Sequence, residues 1–285
     1  MSEYAYPLQQ HLIDDFQRDG FVVTPVGLDD HLLALYGALV DKEIAHRTAD
    51  DHRTVDEKNR YEQSFVQCMR LWETVPELVP FTCDPGLASM AAQLLDVASV
   101  RLWQDQALYK EPGGADTTPH QDQTFWPIGT EKLVSVWIPF EDVTIESGAM
   151  AYVPGSHLAG RLQVVDITHT SEPYAILDDP ALAGRKPQTV EVKAGQAIWH
   201  HGMTVHQAAA NTTTQTRRVF TIVYIDSAAK RHREWPTYPL DRDGVGVGEQ
   251  IAGSGMPVLW PAPAEMPNPP DVIGVATGPQ YKVPE

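Results

Sequence analysis

Cysteine is scarce in this sequence, and basic residues are few for its length. Only two cysteines, Cys68 and Cys83, occur among 285 residues, so a disulfide framework is excluded and a reducing compartment is expected. Lysine and arginine together number 21 against 38 aspartates and glutamates, which gives a formal net charge of -17 at pH 7. Because phosphate binding needs a basic surface, this charge argues against a nucleic-acid partner and against an anionic membrane.

Long apolar runs are also missing. No stretch approaches the roughly 20 apolar residues that span a bilayer, and residues 1–6 lack the basic and then apolar pattern of a secretion signal. We therefore expect a soluble, cytoplasmic protein without a membrane partner. The acidic composition leaves an anionic small molecule open as substrate, because a few local arginines can dominate the field of a pocket.

Apolar residues at helical spacing dominate the first third of the sequence. The predicted helices cover residues 8–18, 29–40, 65–75 and 85–97. Residues 48–60 lie between the second and third of these helices and are dense in charge. We expect them to form a mobile surface loop or lid, or only a solvated segment.

From residue 99 onward the residue pattern is typical of a β protein. The predicted strands cover residues 99–109, 133–140, 149–153, 189–192, 197–200 and 217–225, after one early strand at 21–23. In the segment 99–109, alternation places Leu102 on the same side as Gln104 and Gln106. Short strands separated by glycine and proline predict a mainly β fold with flanking helices, either a two-sheet sandwich or a jelly roll.

The element pattern predicts a single domain over residues 1–285. Its three parts would be a helical buttress at 1–98, a β core at 99–226 and an extended C-terminal tail at 227–285. The irregular stretch 158–186 inside the β core is expected to form an insert at the mouth of the barrel. The proline-rich tail is expected to pack over the body or to fray.

One pair of polar residues has the spacing of a metal site. His120 and Asp122 are two residues apart, so on an extended backbone their side chains leave the same face. With a third imidazole they would form the two-histidine, one-carboxylate set that binds one face of a ferrous ion and leaves positions open for ligands and O2. The hypothesis is that His206 completes the set, although His200 and His201 compete for the same position.

Two adjacent arginines lie on the last clear strand. Only one of Arg217 and Arg218 can point inward, because successive side chains on a strand point to opposite faces. A guanidinium at the bottom of a pocket can hold a carboxylate through two parallel hydrogen bonds. The alternative for either arginine is an ion pair at the surface.

Together these segments resemble the phytanoyl-CoA dioxygenase family of iron(II)/2-oxoglutarate oxygenases. The resemblance rests on residues 16–23, 119–122, 135–140, 146–150, 153–157, 194–196, 206–211 and 217–218, in the family's order. It covers about residues 12–224 and implies a single oxygenase domain with a double-stranded β-helix core, a cupin-like variant of the jelly roll. Helices would buttress the outside of this core.

The resemblance also implies roles for individual residues. His120 and Asp122 fall on the proximal metal ligands and His206 falls on the distal one, which favours His206 over the two preceding histidines. Arg217 falls on the arginine that pairs with the far carboxylate of 2-oxoglutarate, which favours it over its neighbour. The other cosubstrate contacts that the resemblance implies are Gln106, Trp137 and Lys110.

The activity implied by the resemblance uses Fe(II), 2-oxoglutarate and O2 to hydroxylate a C–H bond of a small molecule, with release of succinate and CO2. Asp122 favours hydroxylation or a related oxidation over halide transfer, because halogenating relatives have a small residue at that position. Phe125 and Trp126 follow the metal loop and are expected to line the substrate cavity, or to form a core aromatic pair.

Two other classes of function are compatible with the same residues. The first keeps the cofactors and changes the outcome to desaturation, cyclisation, epimerisation or endoperoxidation. The second is a cupin-like metal-binding or sensor protein without turnover. Arg217 argues against this second class, because a protein that only holds a metal has no need for an arginine at that distance. The sequence leaves the identity of the substrate and the oligomeric state open.

Overall fold

The structure is a computed structural model, and it describes residues 7–271 of the chain. The helices are α1 Gln10–Asp19, α2 Asp30–Arg47, α3 Arg60–Ser64, α4 Leu71–Thr74, α5 Val79–Thr82, α6 Pro85–Leu95 and α7 Tyr238–Arg242. The strands are β1 Phe21–Pro25, β2 Val66–Met69, β3 Val100–Lys110, β4 Thr117–His120, β5 Leu133–Pro139, β6 Met150–Tyr152, β7 Gln188–Val190, β8 Gln196–His201, β9 His206–Ala208, β10 Arg217–Asp226 and β11 Val258–Trp260. Within the described residues no helix combines the length and the apolar character needed to cross a bilayer.

Two antiparallel sheets form the core of the protein. The larger sheet has the strand order β1-β8-β5-β10-β3-β11, with β2 also paired to β3, and the smaller sheet has the order β4-β9-β6-β7. Side chains from both sheets meet in one buried cluster, which includes Trp137 and Val219 from the larger sheet and Tyr152 from the smaller sheet. This arrangement confirms the predicted jelly-roll fold.

The helices α1, α2 and α6 cover the outer face of the larger sheet, where they bury the main apolar cluster. Local sequence explains where these helices begin and end. The Asp29 carboxylate accepts a hydrogen bond from the backbone N–H of Leu32 at the start of α2, at 2.9 Å. Gly20 follows α1 with a φ of 81°, a left-handed conformation that glycine adopts without steric cost.

The helix predicted over residues 65–75 is wrong for its first half. Val66–Met69 forms β2, which pairs antiparallel with β3, and a helix begins only at Leu71. The strand places Cys68 in the main core and turns Gln67 and Met69 toward the cavity between the sheets. Pairing with a distant strand therefore overrides the local helical spacing of the apolar residues.

A β-bulge in β3 changes the face on which one predicted residue lies. Gln104 pairs with Val223 and Leu102 pairs with Tyr224, so Trp103 has no partner of its own on β10. The extra residue reverses the alternation on its N-terminal side. Leu102 consequently packs in the helix-covered core, whereas Trp103 shares the cavity face with Gln104. The predicted common face of Leu102 with Gln104 is therefore wrong.

Residues 227–271 contain more regular structure than the extended tail that the sequence predicts. They include α7, and β11 adds to the edge of β3 in antiparallel register. Arg231 fastens this segment through hydrogen bonds to the carbonyls of Val245 and Trp235. The part of the predicted tail beyond residue 271 lies outside the described residues. The division of residues 1–285 into one domain with three parts stays a prediction.

Candidate active site

A cavity lies between the two sheets, and its wall has two kinds of lining. Polar side chains make one part, which includes Gln104, Gln106, His120, Asp122, His206 and Arg217. The other part, called the aromatic wall below, consists of Tyr61, Phe65, Trp103, Phe125 and Trp126. Strands of the core hold these polar groups apart from Asp122, which follows β4, whereas four of the five aromatic residues come from loops and short helices.

His120, Asp122 and His206 converge on one point of this cavity. The strands β4 and β9 pair so that His120 lies opposite His206, and the ring centroids are 4.4 Å apart. Asp122 begins the single turn of helix that follows β4, and its Oδ1 lies 3.3 Å from Nε2 of His120 and 3.4 Å from Nε2 of His206. One possible ligand atom from each residue lies within 4.8 Å of the others.

Backbone carbonyls fix the orientation of both rings. Nδ1 of His120 lies 2.7 Å from the Thr118 carbonyl oxygen, and Nδ1 of His206 lies 2.9 Å from that of Thr204. A carbonyl oxygen can only accept, so each Nδ1 carries the donated proton and each Nε2 keeps a lone pair. Metal-binding histidines are oriented in this way. Two lone pairs and one carboxylate oxygen face each other here, which is favourable only with a cation between them.

Asp122 is charged at neutral pH. Burial by itself would raise the pKa of this carboxyl, but the surrounding imidazole rings of His206, His120 and His200 outweigh burial and hold the pKa well below its usual range. The side chain keeps 20% of its surface exposed, toward the cavity. A charged oxygen ligand beside two imidazoles suits a divalent transition metal.

The three histidines that competed for one ligand position have three different environments. His206 lies in the group described above. Nε2 of His200 lies 3.1 Å from Oδ2 of Asp122, whereas the other two rings lie nearest to Oδ1. His201 points out of the site, where its Nδ1 accepts from the Met203 N–H at 3.1 Å, and burial lowers its pKa to about 3.

Arg217 is a buried cation that faces the cavity. Its side chain donates to the Gly148 carbonyl at 2.6 Å, but its Nε has no hydrogen-bond partner. Within residues 7–271 no carboxylate forms an ion pair with it. Burial lowers the pKa of Arg217 to about 10, against a smaller opposing effect of Glu141 and Tyr152. A desolvated guanidinium with an unused donor is a site for an anion.

Arg218 has the opposite environment, at the surface. Its guanidinium pairs with Asp41 at 2.7 Å and with Glu141 at 3.1 Å, and 34% of its side chain is exposed. The alternation of the strand thus turns Arg217 inward and Arg218 outward.

Gln106 and Trp137 line the same cavity as Arg217. The Trp137 ring centroid lies 5.2 Å from the Arg217 guanidinium carbon, and Thr221 pairs with both Gln106 and Trp137 across neighbouring strands. Thr221 also lines the cavity, and its buried Oγ1 has no hydrogen-bond partner. The sequence prediction missed Thr221, although the alternation that places it on the face of Arg217 could have found it.

Lys110 does not form part of the cavity wall. It is fully buried, lies opposite Arg217 in the strand register, and its Nζ donates to the Ala115 carbonyl, with the Thr117 hydroxyl 3.5 Å away. Burial and then repulsion by Arg217 lower the pKa of Lys110 to about 6. This geometry assigns Lys110 to the support of the loop before β4, in place of the cosubstrate contact that the resemblance implied.

Phe125 and Trp126 both belong to the aromatic wall, so the structure favours the cavity over a closed core pair for them. The sequence prediction missed Tyr61, Phe65 and Trp103. Tyr61 and Phe65 follow the charged segment 48–60, and Trp103 reaches the cavity only because of the bulge in β3. Ile167, Thr237 and Pro239 also line the cavity.

A sequence model of phytanoyl-CoA dioxygenase matches residues 16–219. The chain belongs to the phytanoyl-CoA dioxygenase family. Relatives in this family include phytanoyl-CoA dioxygenase domain-containing protein 1 of Danio rerio, 31% identical over 148 residues, which are 47% of each chain. Phytanoyl-CoA dioxygenase of Arabidopsis thaliana is 28% identical over 160 residues, 55% of each chain. The chain therefore spans about half the length of the curated relatives it matches.

Solved structures extend the family likeness over most of the chain. The non-heme α-ketoglutarate-dependent carbocyclase SnoK from nogalamycin biosynthesis superposes with a TM-score of 0.76 and 25% identity, over 90% of this chain and 99% of that one. The epimerase SnoN, in complex with Fe3+, α-ketoglutarate and nogalamycin RO, has a TM-score of 0.69 and 25% identity, over 88% and 98%. The resemblance seen in the sequence is confirmed at the level of family and fold.

Proposed function

We propose that this protein is an Fe(II)/2-oxoglutarate-dependent dioxygenase that oxidises a C–H bond of a small molecule, by hydroxylation in the simplest case. One observation carries the proposal. A cluster of two imidazoles and one carboxylate shares its cavity with a buried arginine that has no anionic partner among the described residues. A metal-binding or sensor protein without turnover would need the metal-ligand cluster but not the arginine without an anionic partner.

His120, Asp122 and His206 would hold the iron. The donor set fits Fe(II), because two neutral imidazoles and one carboxylate occupy one face of an octahedral ion and leave the other face open. When bound, iron and 2-oxoglutarate together supply the activation of O2, and the cosubstrate leaves as succinate and CO2. The protein contributes ligand orientation, through the two backbone carbonyls that hold the imidazole rings.

Arg217 would hold the carboxylate of 2-oxoglutarate that lies far from the metal. A carboxylate there neutralises the buried charge and gives its Nε an acceptor. Thr221 Oγ1 and the side-chain amide of Gln106 are further donors on the same face. Gln67 donates to Oε1 of Gln106 at 2.7 Å, which leaves the NH2 group of Gln106 to donate to a ligand.

The aromatic wall indicates the class of the substrate. Five aromatic side chains favour a ring-bearing, mainly apolar molecule, since aromatic rings stack on one another and exclude water. The amide of Gln67 and the hydroxyl of Tyr61, which are joined at 2.7 Å, add a small polar strip. The related epimerase is described in complex with nogalamycin RO, and this relative supports a small molecule as the substrate here.

A coenzyme A thioester fits this site less well. Basic residues near Tyr61 would have to hold its phosphates, but each already has a carboxylate partner. Lys58 pairs with Glu111 at 3.0 Å, Arg60 pairs with Asp116 at 2.7 Å, and Arg53 pairs with two carboxylates. We therefore propose a substrate that carries no nucleotide group. A cytoplasmic location also stays a proposal, supported by two free, buried cysteines.

A second candidate outcome uses the same residues. The two solved relatives described above are a carbocyclase and an epimerase, and both are similar to this chain over at least 88% of its length. Ring formation or epimerisation differs from hydroxylation in where the substrate radical lies, and the metal and cosubstrate residues are the same. Product analysis by mass distinguishes the two outcomes, because hydroxylation adds one oxygen atom to the substrate whereas epimerisation adds none.

The test is succinate formation from 2-oxoglutarate under air with Fe(II) and ascorbate, for wild type and Asp122→Ala. We expect polycyclic aromatic compounds to stimulate succinate formation by wild type more than acyl-coenzyme A compounds do. Asp122→Ala should abolish the stimulated reaction, because it removes the only carboxylate of the metal cluster.

Asp142→Ala is the matched control, since this exposed carboxylate pairs only with Lys193 and the Ala194 N–H, far from the cavity lining. Equal succinate formation by wild type and Asp122→Ala would reject the proposed function.

A further inference from the structure

The two carboxylate oxygens of Asp122 have separate partners. Oδ1 faces Nε2 of His120 and His206, at 3.3 and 3.4 Å. Oδ2 faces Nε2 of His200 at 3.1 Å and Oγ of Ser135 at 3.4 Å. One oxygen thus belongs to the cluster proposed to bind metal, and the other belongs to a group of side chains for which that proposal gives no role.

The position of His200 follows from the larger sheet. Strands β5 and β8 pair so that Ser135 lies opposite His200, and both side chains reach the same carboxylate oxygen from neighbouring strands. His200 is 2% exposed. On its other side, the hydroxyl of the fully buried Tyr152 lies 3.4 Å from Nδ1 of His200. Tyr152 is itself held by stacking on Phe21, with ring centroids 4.8 Å apart.

These partners determine which way each hydrogen bond runs. A charged carboxylate oxygen only accepts, so Nε2 of His200 must carry the proton that it donates to Asp122. Nδ1 of His200 then has a lone pair and accepts from the hydroxyl of Tyr152, which is the donor within reach. All three groups are therefore satisfied by a single chain of hydrogen bonds from Tyr152 through His200 to Asp122.

We propose that His200 is a positioning residue that holds Oδ2 of Asp122, so that this carboxylate offers only Oδ1 to the metal. The proposal rests on the function proposed above. Coordination number gives the reason. Two imidazoles, one carboxylate oxygen and a chelating 2-oxoglutarate leave one octahedral position for O2, whereas a carboxylate that bound through both oxygens would take that position. Ser135 supports the same oxygen.

The alternative role for His200 is that of a fourth metal ligand. Its Nε2 does not belong to the group of ligand atoms that lie within 4.8 Å of one another. A fourth protein ligand would also fill the position that O2 needs. The two roles differ in what they require of the side chain, because positioning needs an N–H donor whereas ligation needs a lone pair.

The test compares His200→Gln with His200→Leu in the full-length protein. Glutamine keeps an N–H donor for Asp122 and is a poor metal ligand, whereas leucine keeps the bulk without the donor. The measurement is the dissociation constant for Co(II), without oxygen, by calorimetry. We expect His200→Leu to weaken Co(II) binding by roughly 10- to 100-fold, as is typical when the partner of a metal ligand is removed, and His200→Gln to stay within about threefold of wild type.

Two further variants control for folding and proximity. His201→Gln changes the adjacent histidine, whose Nδ1 accepts from the Met203 N–H outside the site, and it should bind Co(II) as wild type does. Tyr152→Phe removes only the hydroxyl that donates to His200 and should weaken Co(II) binding in the same direction as His200→Leu, by a smaller factor. It replaces His200→Leu as the deciding variant if that protein does not fold.

The outcomes separate this inference from the proposed function. If the wild-type protein does not bind Co(II), the proposed function fails. If the wild type binds and the deciding variant binds equally well, only the positioning role is rejected. Equal losses of Co(II) affinity in His200→Gln and His200→Leu would also reject the positioning role and would assign His200 as a metal ligand. The absorption spectrum of bound Co(II) gives a second readout. Without His200, Asp122 is free to bind the metal through both oxygens, which changes the number of coordinating atoms and therefore the spectrum.

Discussion

Arg217 and Arg218 are adjacent in sequence and have opposite surroundings. The first is buried beside Trp137 with an unused Nε donor, and the second forms two ion pairs at the surface. We expect Arg217→Met to raise the Michaelis constant for 2-oxoglutarate by roughly 10- to 100-fold, because a hydrogen bond to a charged group contributes about 1.5–3 kcal/mol. Steady-state kinetics with varied 2-oxoglutarate measure this effect.

Arg218→Met is the matched control for that experiment. It removes a guanidinium from the same strand, one residue away, and should leave the Michaelis constant for 2-oxoglutarate unchanged. A larger effect of Arg218→Met than of Arg217→Met would contradict the assignment of the cosubstrate carboxylate to Arg217.

At the residue scale the sequence carried much of the site. The two-residue spacing of His120 and Asp122 required only that the chain be extended between them, and Gln121, which follows the last residue of β4, is extended with φ -112° and ψ 125°. Lys110 could not be assigned in the same way. Its neighbour across the strands is Arg217, and two cations cannot both point into one small cavity without a large cost. Only the folded arrangement shows that Lys110 turns to the Ala115 carbonyl.

Among the elements, the turn that precedes β6 supports Arg217. Gly148 has a φ of 94°, and its carbonyl accepts the hydrogen bond from Arg217. A Cβ at this position would lie 2.8 Å from Cδ of Lys110 and 2.9 Å from the carbonyl oxygen of Ala209. Backbone cannot yield to such a contact as a flexible side chain can, so the turn itself would have to move.

We expect Gly148→Ala to lower the free energy of unfolding by more than the about 1–2 kcal/mol that a left-handed conformation costs a residue with a Cβ. The same variant should raise the Michaelis constant for 2-oxoglutarate, because the carbonyl that holds Arg217 is displaced. Chemical denaturation and steady-state kinetics provide the two measurements.

Gly113→Ala serves as the control for the turn. Gly113 also has a positive φ, of 78°, but a Cβ there meets nothing within 4 Å. It should therefore show the conformational cost alone and no change in the kinetics. Equal losses of stability in the two alanine variants would show that the contacts of Gly148 do not matter.

At the scale of elements, the sequence predicts strands better than it predicts their faces. Alternation in β10 places Arg217 and Thr221 on one face, as observed. In β3 the same reasoning fails at Trp103, where one extra residue reverses the alternation. No residue type at this position signals the bulge, because it arises from the register with a strand more than a hundred residues later.

At the scale of the whole molecule, buried ion pairs connect the C-terminal segment to the cavity wall. Glu73 is fully buried and pairs with Arg70 at 3.1 Å and with Arg242 at 2.9 Å. Arg70 lines the cavity, and Arg242 ends α7, whose Pro239 also lines it. This network therefore connects the helical part before β3 with the segment after β10 at the cavity wall.

We expect Arg242→Met to lower the free energy of unfolding by about 3 kcal/mol, at the low end for removal of one partner of a buried pair, since Glu73 keeps Arg70. The Michaelis constant for 2-oxoglutarate should not change, because Arg217 lies in a different part of the cavity wall. Chemical denaturation and kinetics test both statements.

Lys193→Met gives the comparison for a solvated pair. Lys193 pairs with Asp142 at 2.8 Å, but 74% of its side chain is exposed, so its removal should not change stability measurably. A loss of stability as large as that of Arg242→Met would show that burial is not the reason for the effect.

By itself the sequence determined the family, the jelly-roll fold and the metal-ligand candidates His120, Asp122 and His206. These features depend on the local spacing of residues and on motifs that can be recognised from their order along the chain. The tertiary structure alone decided that His200 faces Oδ2 of Asp122, and that Trp103 enters the cavity. Strand register decides both points, and register arises from pairing between segments that are far apart in the chain.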